Sequence, residues 1–258
     1  MSEGLSGSAA REIGDDLLIL FPHGTRPTVR RVHGQRETGG YADVSGPDLT
    51  EYRHKVDIGA PTGLALQRAG LVFDLVGLAP GPAIPAPDMG EADRRREPIL
   101  PTRTEATSLR LGPHIAAGKR SLAILREWFG LASGIAETFG ATALCWVPGR
   151  VVIGIDRLPH HLQAWDGRGD VPVNLLADFR STLDGAVQSS GLAFFTGQEF
   201  RIEPPLVRGG EDALARLIFS HLFYAGEQTA TGQLAAPDGT PLRLEPSGNR
   251  RFVRVWPG

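Results

Sequence analysis

The segment GPHIAAGKRS, residues 112–121, comes closest in this chain to a known chemical motif. It lies between a strand-like run and a helix-like run, where a phosphate-binding loop would lie. Such a loop has four residues between its first glycine and a Gly-Lys pair, followed by a hydroxyl side chain that holds magnesium. Here five residues separate Gly112 from Gly118, and Arg120 takes the place of the hydroxyl. The motif is incomplete, but Lys119 and Arg120 remain candidates for binding an anion where the helix begins.

A second group of basic residues lies in HGTRPTVRRVHGQR, residues 23–36, which contains four arginines and two histidines. Clusters of this kind attract phosphate backbones. No aromatic residue is interleaved with them for base stacking, and the formal net charge of the chain is -2. We therefore do not expect a nucleic-acid partner, and a solvated hairpin without a recognition role is the alternative. The anion-binding candidates from both segments are His23, Arg26, Arg30, Arg31, Lys119 and Arg120.

Metal and covalent chemistry lack a signature in the sequence. The seven histidines form no HExxH or HxH spacing, and the single cysteine excludes CxxC. Cys145 lies within the strand-like run ATALCWV, a position typical of a buried small hydrophobic residue rather than a nucleophile. No GxSxG sequence is present. We predict no metal site and no cofactor, and we assign no catalytic residue.

Carboxylates alternate with arginines in two predicted strands, VPVNLLADFR at 171–180 and GLAFFTGQEFRIEP at 191–204. A period of two places the charged side chains opposite Phe179 in the first strand and opposite Phe194 and Phe200 in the second. If the two strands pair, their charges form a ladder of ion pairs across the sheet. Neighbouring arginines would work against a general acid, so we interpret the ladder as structural. Its members are Asp178, Arg180, Glu199 and Arg201, and Gly197 is interpreted as a bulge within the second strand.

Two long helices and many strands would position these residues. Apolar residues recur at helical spacing in RSLAILREWFGLASGIAETFG and in GGEDALARLIFSHLFYAG, and each run ends in a glycine. Strands are predicted at 17–21, 71–78 and 108–115, with hairpins at 15–36, around Pro148 and Gly149, and around residues 237–239. This order predicts an α+β fold, with the two principal helices on one face of a mainly antiparallel sheet.

Prolines are concentrated in residues 79–104, which we interpret as a linker. The linker would close a smaller β-rich N-terminal region, residues 1–104, and lead into an α+β domain, residues 105–258. The 258 residues are 41% hydrophobic, which is enough for a sizeable core. The apolar run LLILF is too short to span a bilayer, no secretion signal is evident, and one cysteine cannot form an internal disulfide. We therefore expect a cytoplasmic protein with no membrane partner.

Several segments of the C-terminal part resemble an uncharacterised bacterial family, a domain of unknown function. The similarity lies in ATALCWV with Trp146, in FFTGQEFRIEP, and in the flanking helices and last hairpin, over roughly residues 108–254. The resemblance implies an α+β domain of the bacterial cytoplasm without an established activity.

The aromatic residues Trp128, Phe129, Trp165 and Trp256 exceed what one helix face is expected to bury, which predicts a surface for a partner. We therefore expect a non-catalytic accessory protein that binds a protein partner or a second copy of itself. The first alternative is a hydrolase or transferase that acts on a phosphate-bearing substrate through Lys119, Arg120 and the arginines of 26–36. The second is nucleic-acid binding through the basic residues 23–36.

Overall fold

A computed structural model of the protein describes residues 16–35, 42–43, 63–86, 103–168, 170–207 and 211–258. Within these residues the strands form two sheets, of seven and six strands, and the longer helices pack on them. The α+β class predicted from the order of elements is confirmed. The strands of residues 105–258 belong to two sheets, however, whereas a single sheet is predicted for that domain. In the part of the chain so described, no helix combines the length and apolarity needed to cross a membrane.

The first sheet is antiparallel, with strand order β2-β3-β4-β5-β1-β6-β7. Its strands are β1 (Leu17–Pro22), β2 (Ala42–Asp43), β3 (Gly63–Arg68), β4 (Leu71–Val76), β5 (Thr104–Leu111), β6 (Ala143–Trp146) and β7 (Val151–Gly154). The first strand lies inside the sheet, because Leu17 faces both Leu109 of β5 and Trp146 of β6. The boundary predicted near residue 104 therefore runs through this sheet, which takes strands from both sides of it.

The second sheet has the order β11-β12-β13-β10-β9-β8. Its strands are β8 (Asp178–Ser181), β9 (Val187–Ser190), β10 (Glu199–Ile202), β11 (Gly232–Ala235), β12 (Pro241–Pro246) and β13 (Phe252–Pro257). Neighbouring strands are antiparallel except β10 and β13, which run parallel. Parallel neighbours need a long connection, and here it contains the last helix and the β11–β12 hairpin.

Two helices of this fold are long and were predicted from their spacing. The helices are α1 (Val29–Gly34), α2 (Leu122–Phe139), α3 (Leu158–Arg168), α4 (Val173–Leu176), α5 (Ala193–Thr196) and α6 (Glu211–Ala225). Helix α2 ends at Gly140 and α6 at Gly226, with φ of 72° and 83°. Glycine adopts this left-handed conformation without steric cost, which is why it ends helices. The predicted hairpins at Pro148–Gly149 and at residues 237–239 are confirmed as β6–β7 and β11–β12.

Three segments adopt helical turns where strands were predicted. The hairpin at 15–36 is wrong, because the Thr28 side chain accepts the N–H of Arg31 and caps α1. In 171–180 only the end is a strand, since Val173–Leu176 is helical. In 191–204 the bulge is also wrong: Ala193–Thr196 is helical, and Gly197, with φ 83°, ends that turn before β10 begins.

Aromatic side chains connect the first sheet to the helices that pack on the second. Trp146 of β6 contacts Trp128 of α2, with ring centroids 5.4 Å apart, and Phe194 of α5, at 4.9 Å. Phe195 then contacts Phe223 of α6, also at 4.9 Å. One apolar core therefore extends from the first sheet to α6.

Most of the aromatic surface proposed for a partner belongs to this core. Trp128 and Phe129 are 1% and 0% exposed, and Trp165 is 6% exposed. The Trp128 indole N–H donates to the carbonyl oxygen of Leu109 at 2.9 Å, so its polar atom is satisfied internally. The prediction of an exposed aromatic surface is wrong for these three residues, because all three belong to the apolar core that extends from the first sheet to α6. Trp256 alone stays partly exposed.

Candidate functional site

Arg26, which follows β1, links this part of the chain to β5 and to the residues after β4. Its side chain is only 9% exposed, and Nε donates to Oε2 of Glu105 at 2.7 Å. The guanidinium also donates to the carbonyl oxygens of Gly77 and, at 3.1 Å, of Gly81. His23 lies beside this group, with Nδ1 3.0 Å from Oε1 of Glu105. The hydrogen bond from Arg26 lowers the pKa of Glu105, against the opposing effect of burial. The Arg26 guanidinium is therefore already occupied by acceptors of the fold.

The two arginines of α1 differ in their surroundings. The guanidinium of Arg31 lies over the ring of Phe139, the last residue of α2, 5.7 Å from its centroid. Arg30 is exposed. Successive residues of a helix project about 100° apart, so these two side chains leave α1 in different directions. Arg26, Arg31 and Arg30 thus have a buried ion pair, a ring contact and a solvent-exposed position, respectively; Arg36, the fourth arginine of the segment 23–36, lies outside the described residues.

Lys119 and Arg120 extend from the start of α2 to elements near the second sheet. The Lys119 Nζ atom lies over the ring of Phe194, 4.4 Å from its centroid. Arg120 donates from Nη2 to the carbonyl oxygen of Phe223 at 2.9 Å. Phe223 is in the last turn of α6, where a cation is favourable because the carbonyl dipoles point towards it. Both cations of the incomplete phosphate-loop motif therefore have a role in joining α2 to α5 and α6.

The carboxylate of Glu199 is held by donors from the chain just before it. Oε1 accepts the backbone N–H of Gly191 at 2.8 Å and of Ala193 at 3.0 Å. Oε2 accepts the hydroxyl of Ser189 at 2.6 Å and the N–H of Leu192 at 3.2 Å. These donors belong to the end of β9 and the start of α5, whose first N–H groups have no partner within so short a helix. Glu199 therefore fixes the turn, and it makes no ion pair with any residue that the structure describes.

The predicted ladder between two adjacent strands is wrong, because β9 lies between β8 and β10. Arg180 of β8 and Arg201 of β10 both face Gln188 of β9. Arg180 instead pairs with Asp178 of its own strand, Nε to Oδ2, at 2.5 Å. Arg201 pairs with Asp184 in the β8–β9 turn. Three of the four residues thus form ion pairs, but their partners lie in the same strand or in a turn rather than across two paired strands.

The second sheet has an outer face, which we define as the side away from α6, carrying Arg180, Gln188, Arg201, Arg243, Arg254 and Trp256. The opposite side packs on the helix through Phe179, which contacts Phe219 of α6, and through the fully buried Phe200. The alternation in RRFVRVW shows this division in the sequence: Val253 and Val255 are buried, while Arg254 is exposed. The sequence reading did not assign this surface.

Arg254 makes both a hydrogen bond and a ring contact on the outer face. Its Nε donates to Oε1 of the buried Glu203 at 2.6 Å, and the same oxygen lies 3.4 Å from Nε of Arg201. The hydrogen bond to Glu203 raises the pKa of Arg254 above its ordinary value. The guanidinium also stacks over the ring of Trp256, 4.6 Å from its centroid. Its side chain is nevertheless 44% exposed, and the adjacent Trp256 is half-buried, with its indole nitrogen buried.

Metal ligands do not converge in the described part of the chain, where no group of three or more histidine, cysteine, aspartate or glutamate side chains is placed to hold an ion. The adjacent histidines of α3, His160 and His161, have ring centroids 6.0 Å apart. Burial, together with the charges of His160 and nearby arginines, lowers the pKa of His161.

Comparison of the chain with protein-family models, with curated proteins and with solved structures gave no match. The resemblance to a bacterial family of unknown function therefore stays a prediction, and so do the bacterial origin and the cytoplasmic location that it implies. The site has to be interpreted from its own geometry.

Proposed function

We propose that this protein is a non-catalytic interaction protein that binds a protein partner through the outer face of the second sheet. The observation that carries the proposal is the stacked pair Arg254 and Trp256. Tryptophan and arginine are the side chains most enriched among residues that dominate binding energy. Because Glu203 already fixes Arg254, little side-chain entropy remains to be lost when a partner binds.

The charges around this pair favour a protein over a polyanion. Arg201 is paired with Asp184 and approaches Glu203, and Arg243 lies 3.8 Å from Glu245. Phosphate backbones are bound by cations that are free to replace counterions, whereas mixed charges suit the polar rim of a protein interface. A nucleic-acid role would need these arginines to leave their carboxylates.

The enzyme alternative has less support from the same contacts. A phosphate-bearing substrate would need Lys119 and Arg120 to leave Phe194 and the end of α6, and it would need Arg26 to leave Glu105. The proposed interaction needs no such rearrangement, because Arg254 is exposed and Trp256 partly exposed as they are.

The proposal is tested by replacing Trp256. The tagged protein is used to capture partners from cells that express it, in parallel with Trp256→Ala and with Tyr224→Ala as a control. Tyr224 is a matched control because it is aromatic, 62% exposed, and carried by α6 rather than by the outer face. We expect one partner to be retained by the wild type and by Tyr224→Ala and to be lost by Trp256→Ala.

The captured protein is then purified and its affinity measured by calorimetry. Removing a dominant tryptophan typically costs about 2 kcal/mol or more, which is a roughly 30-fold increase in Kd. An unchanged Kd, with the thermal unfolding of the variant also unchanged, would contradict the proposal. Turnover of a phosphate ester by the purified protein, abolished by Lys119→Ala, would favour the enzyme alternative instead.

A further inference from the structure

The strand at one edge of the second sheet, β11, has one side on which no other described strand pairs with it. It has the sequence GQLA, and it pairs with β12 on its other side. Gln233 and Ala235 are exposed, and Leu234 is half-buried against the main core. Edge strands are normally protected by charges, prolines or bulges, since their free backbone groups bind other strands. β11 contains no charged residue and no proline.

The pairing within the β11–β12 hairpin determines which backbone N–H and C=O groups of β11 point away from the sheet. The N–H of Ala236 donates to the carbonyl oxygen of Thr240 at 2.8 Å, which makes these two residues a hydrogen-bonded pair. Such pairs alternate along an antiparallel ladder. Leu234 therefore bonds to Leu242 of β12, and the N–H and C=O groups of Gln233 and Ala235 point away from the sheet.

The opposite edge of the sheet differs. The strand there, β8, carries Asp178 and Arg180, which form an ion pair with each other. A strand that docked beside β8 would have to accommodate these charges, whereas β11 presents only small, amide and apolar side chains. The two edges of one sheet thus provide an unprotected strand and a charged one for comparison.

We propose that β11 pairs antiparallel with β11 of a second copy of this chain, about a two-fold axis at Leu234. In this register Gln233 faces Ala235 of the second copy, so the outward groups of each exchange hydrogen bonds. Leu234 faces Leu234 of the second copy at the non-hydrogen-bonded position, where side chains are closest. Leu234 lies on the core side of the sheet. Leu234 of the second copy therefore covers the exposed part of its side chain.

A second copy suits this edge better than an unrelated strand for two reasons. No charge of β11 meets a like charge at the axis, so self-pairing has no electrostatic penalty. The inner surface also continues across the axis, since Leu244 and Leu242 of β12 are fully buried and Leu234 extends the same apolar row. A two-fold axis closes the association at two copies, because each copy uses β11 and no further β11 edge is left.

The first test blocks the edge with proline. Ala235→Pro removes an outward N–H that the β11–β12 ladder does not use, and proline is tolerated on such an edge. Ser181→Pro is the matched control on β8: Thr182 donates to the carbonyl oxygen of Ala186, so the N–H of the exposed Ser181 also points outward. By sedimentation equilibrium, the wild type and Ser181→Pro should have twice the chain mass of 27.6 kDa. Ala235→Pro should have the mass of one chain.

The second test fixes the register and does not depend on how the proline variant folds. Facing residues at the non-hydrogen-bonded position have Cα atoms about 4.5 Å apart, which allows a disulfide. Leu234→Cys should therefore form a covalent dimer on mild oxidation. Gln233→Cys should not, because its counterpart lies beyond the roughly 7 Å limit for a bridge. The natural Cys145 is 1% exposed and does not compete.

A wild type of single-chain mass would overturn the proposal and leave an unrelated strand as the occupant of the edge. So would a dimer that Ala235→Pro preserves, or a disulfide at residue 233 in place of residue 234. Trp256→Ala should keep the dimer mass, so this proposal and the one for the outer face fail separately.

Discussion

Three segments of backbone cross at the carbonyl oxygen of Leu176, and the crossing depends on two glycines. Gly149 lies in the β6–β7 turn and Gly191 follows β9. A Cβ atom would lie 2.3 Å from this oxygen at Gly149 and 2.2 Å from it at Gly191. Contacts this short do not occur, so an alanine at either position must displace backbone. Gly191 also has φ of 111°, which side chains other than glycine rarely adopt.

Four alanine variants separate these two effects. Gly248→Ala is the control, since nothing lies within 4 Å of its Cβ position and its φ is not positive. Gly185→Ala adds only the strain of φ 81°, in open space, at a cost of about 1–2 kcal/mol. Gly149→Ala adds no strain in φ but displaces its neighbours, since the new Cβ would also lie 2.8 Å from Cδ1 of Trp146, at a cost of about 1–3 kcal/mol. Gly191→Ala combines both and should lower the free energy of unfolding by about 2–5 kcal/mol.

The free energies are measured by denaturant unfolding at pH 7 with linear extrapolation, and equal m-values would show that the unfolded states are comparable. Stability of a domain is about 5–15 kcal/mol, so the Gly191 variant should lose a large part of it. If Gly191→Ala costs no more than Gly185→Ala, the contact with Leu176 contributes nothing. If it costs no more than Gly248→Ala, the reasoning fails altogether.

Three further results are expected. Glu199→Ala should lower the free energy of unfolding by about 2–4 kcal/mol, because the N–H groups at the start of α5 lose their acceptor. Denaturant unfolding measures this loss, and a value below about 1 kcal/mol would contradict the prediction. Arg26→Ala should cost about 2–4 kcal/mol, since Glu105 stays partly buried without its cation, whereas Arg30→Ala should change the stability by less than about 0.5 kcal/mol. Thermal unfolding of this pair shows the difference, and equal losses would contradict it. His161 has a lowered pKa, so the unfolded chain binds its proton more readily, and stability should fall as the pH drops through the ordinary value of 6.5; His161→Gln should lose less over that interval.

Patterns of neighbouring residues predicted the elements whose conformation depends mainly on residues close in the chain. Helices α2 and α6 have apolar residues at helical spacing and a glycine at the end, and the β6–β7 and β11–β12 turns contain Pro-Gly and Pro-Asp-Gly, which are typical turn sequences. The run AFFT at 193–196 has no such signal. A short apolar run fits a buried strand or a buried helical turn equally well. Its conformation is decided by Glu199, whose carboxylate accepts the first N–H groups of the turn.

The roles of the charged residues depend on partners that are distant in sequence. Arg26 and Glu105 are 79 positions apart, and Arg120 and Phe223 are 103 apart. A sequence shows that a residue is cationic, but not which carboxylate, ring or helix end the fold brings to it. The sequence shows Arg254 in a strand whose side chains alternate between the two faces of the sheet. Which of its two faces meets solvent depends on α6 and on the place of β13 within the sheet.

The position of β1 inside the first sheet has a consequence for how the protein is synthesised. Leu20 of β1 accepts a hydrogen bond from Thr142, 122 positions later, and β1 is buried on both faces. A ribosome adds about 5–20 residues per second, so this strand waits roughly 6–25 s for its last neighbour. During that interval the apolar run LLILF is exposed on a nascent chain. A chaperone that binds short hydrophobic segments would find its target there, and the folded protein would no longer display it.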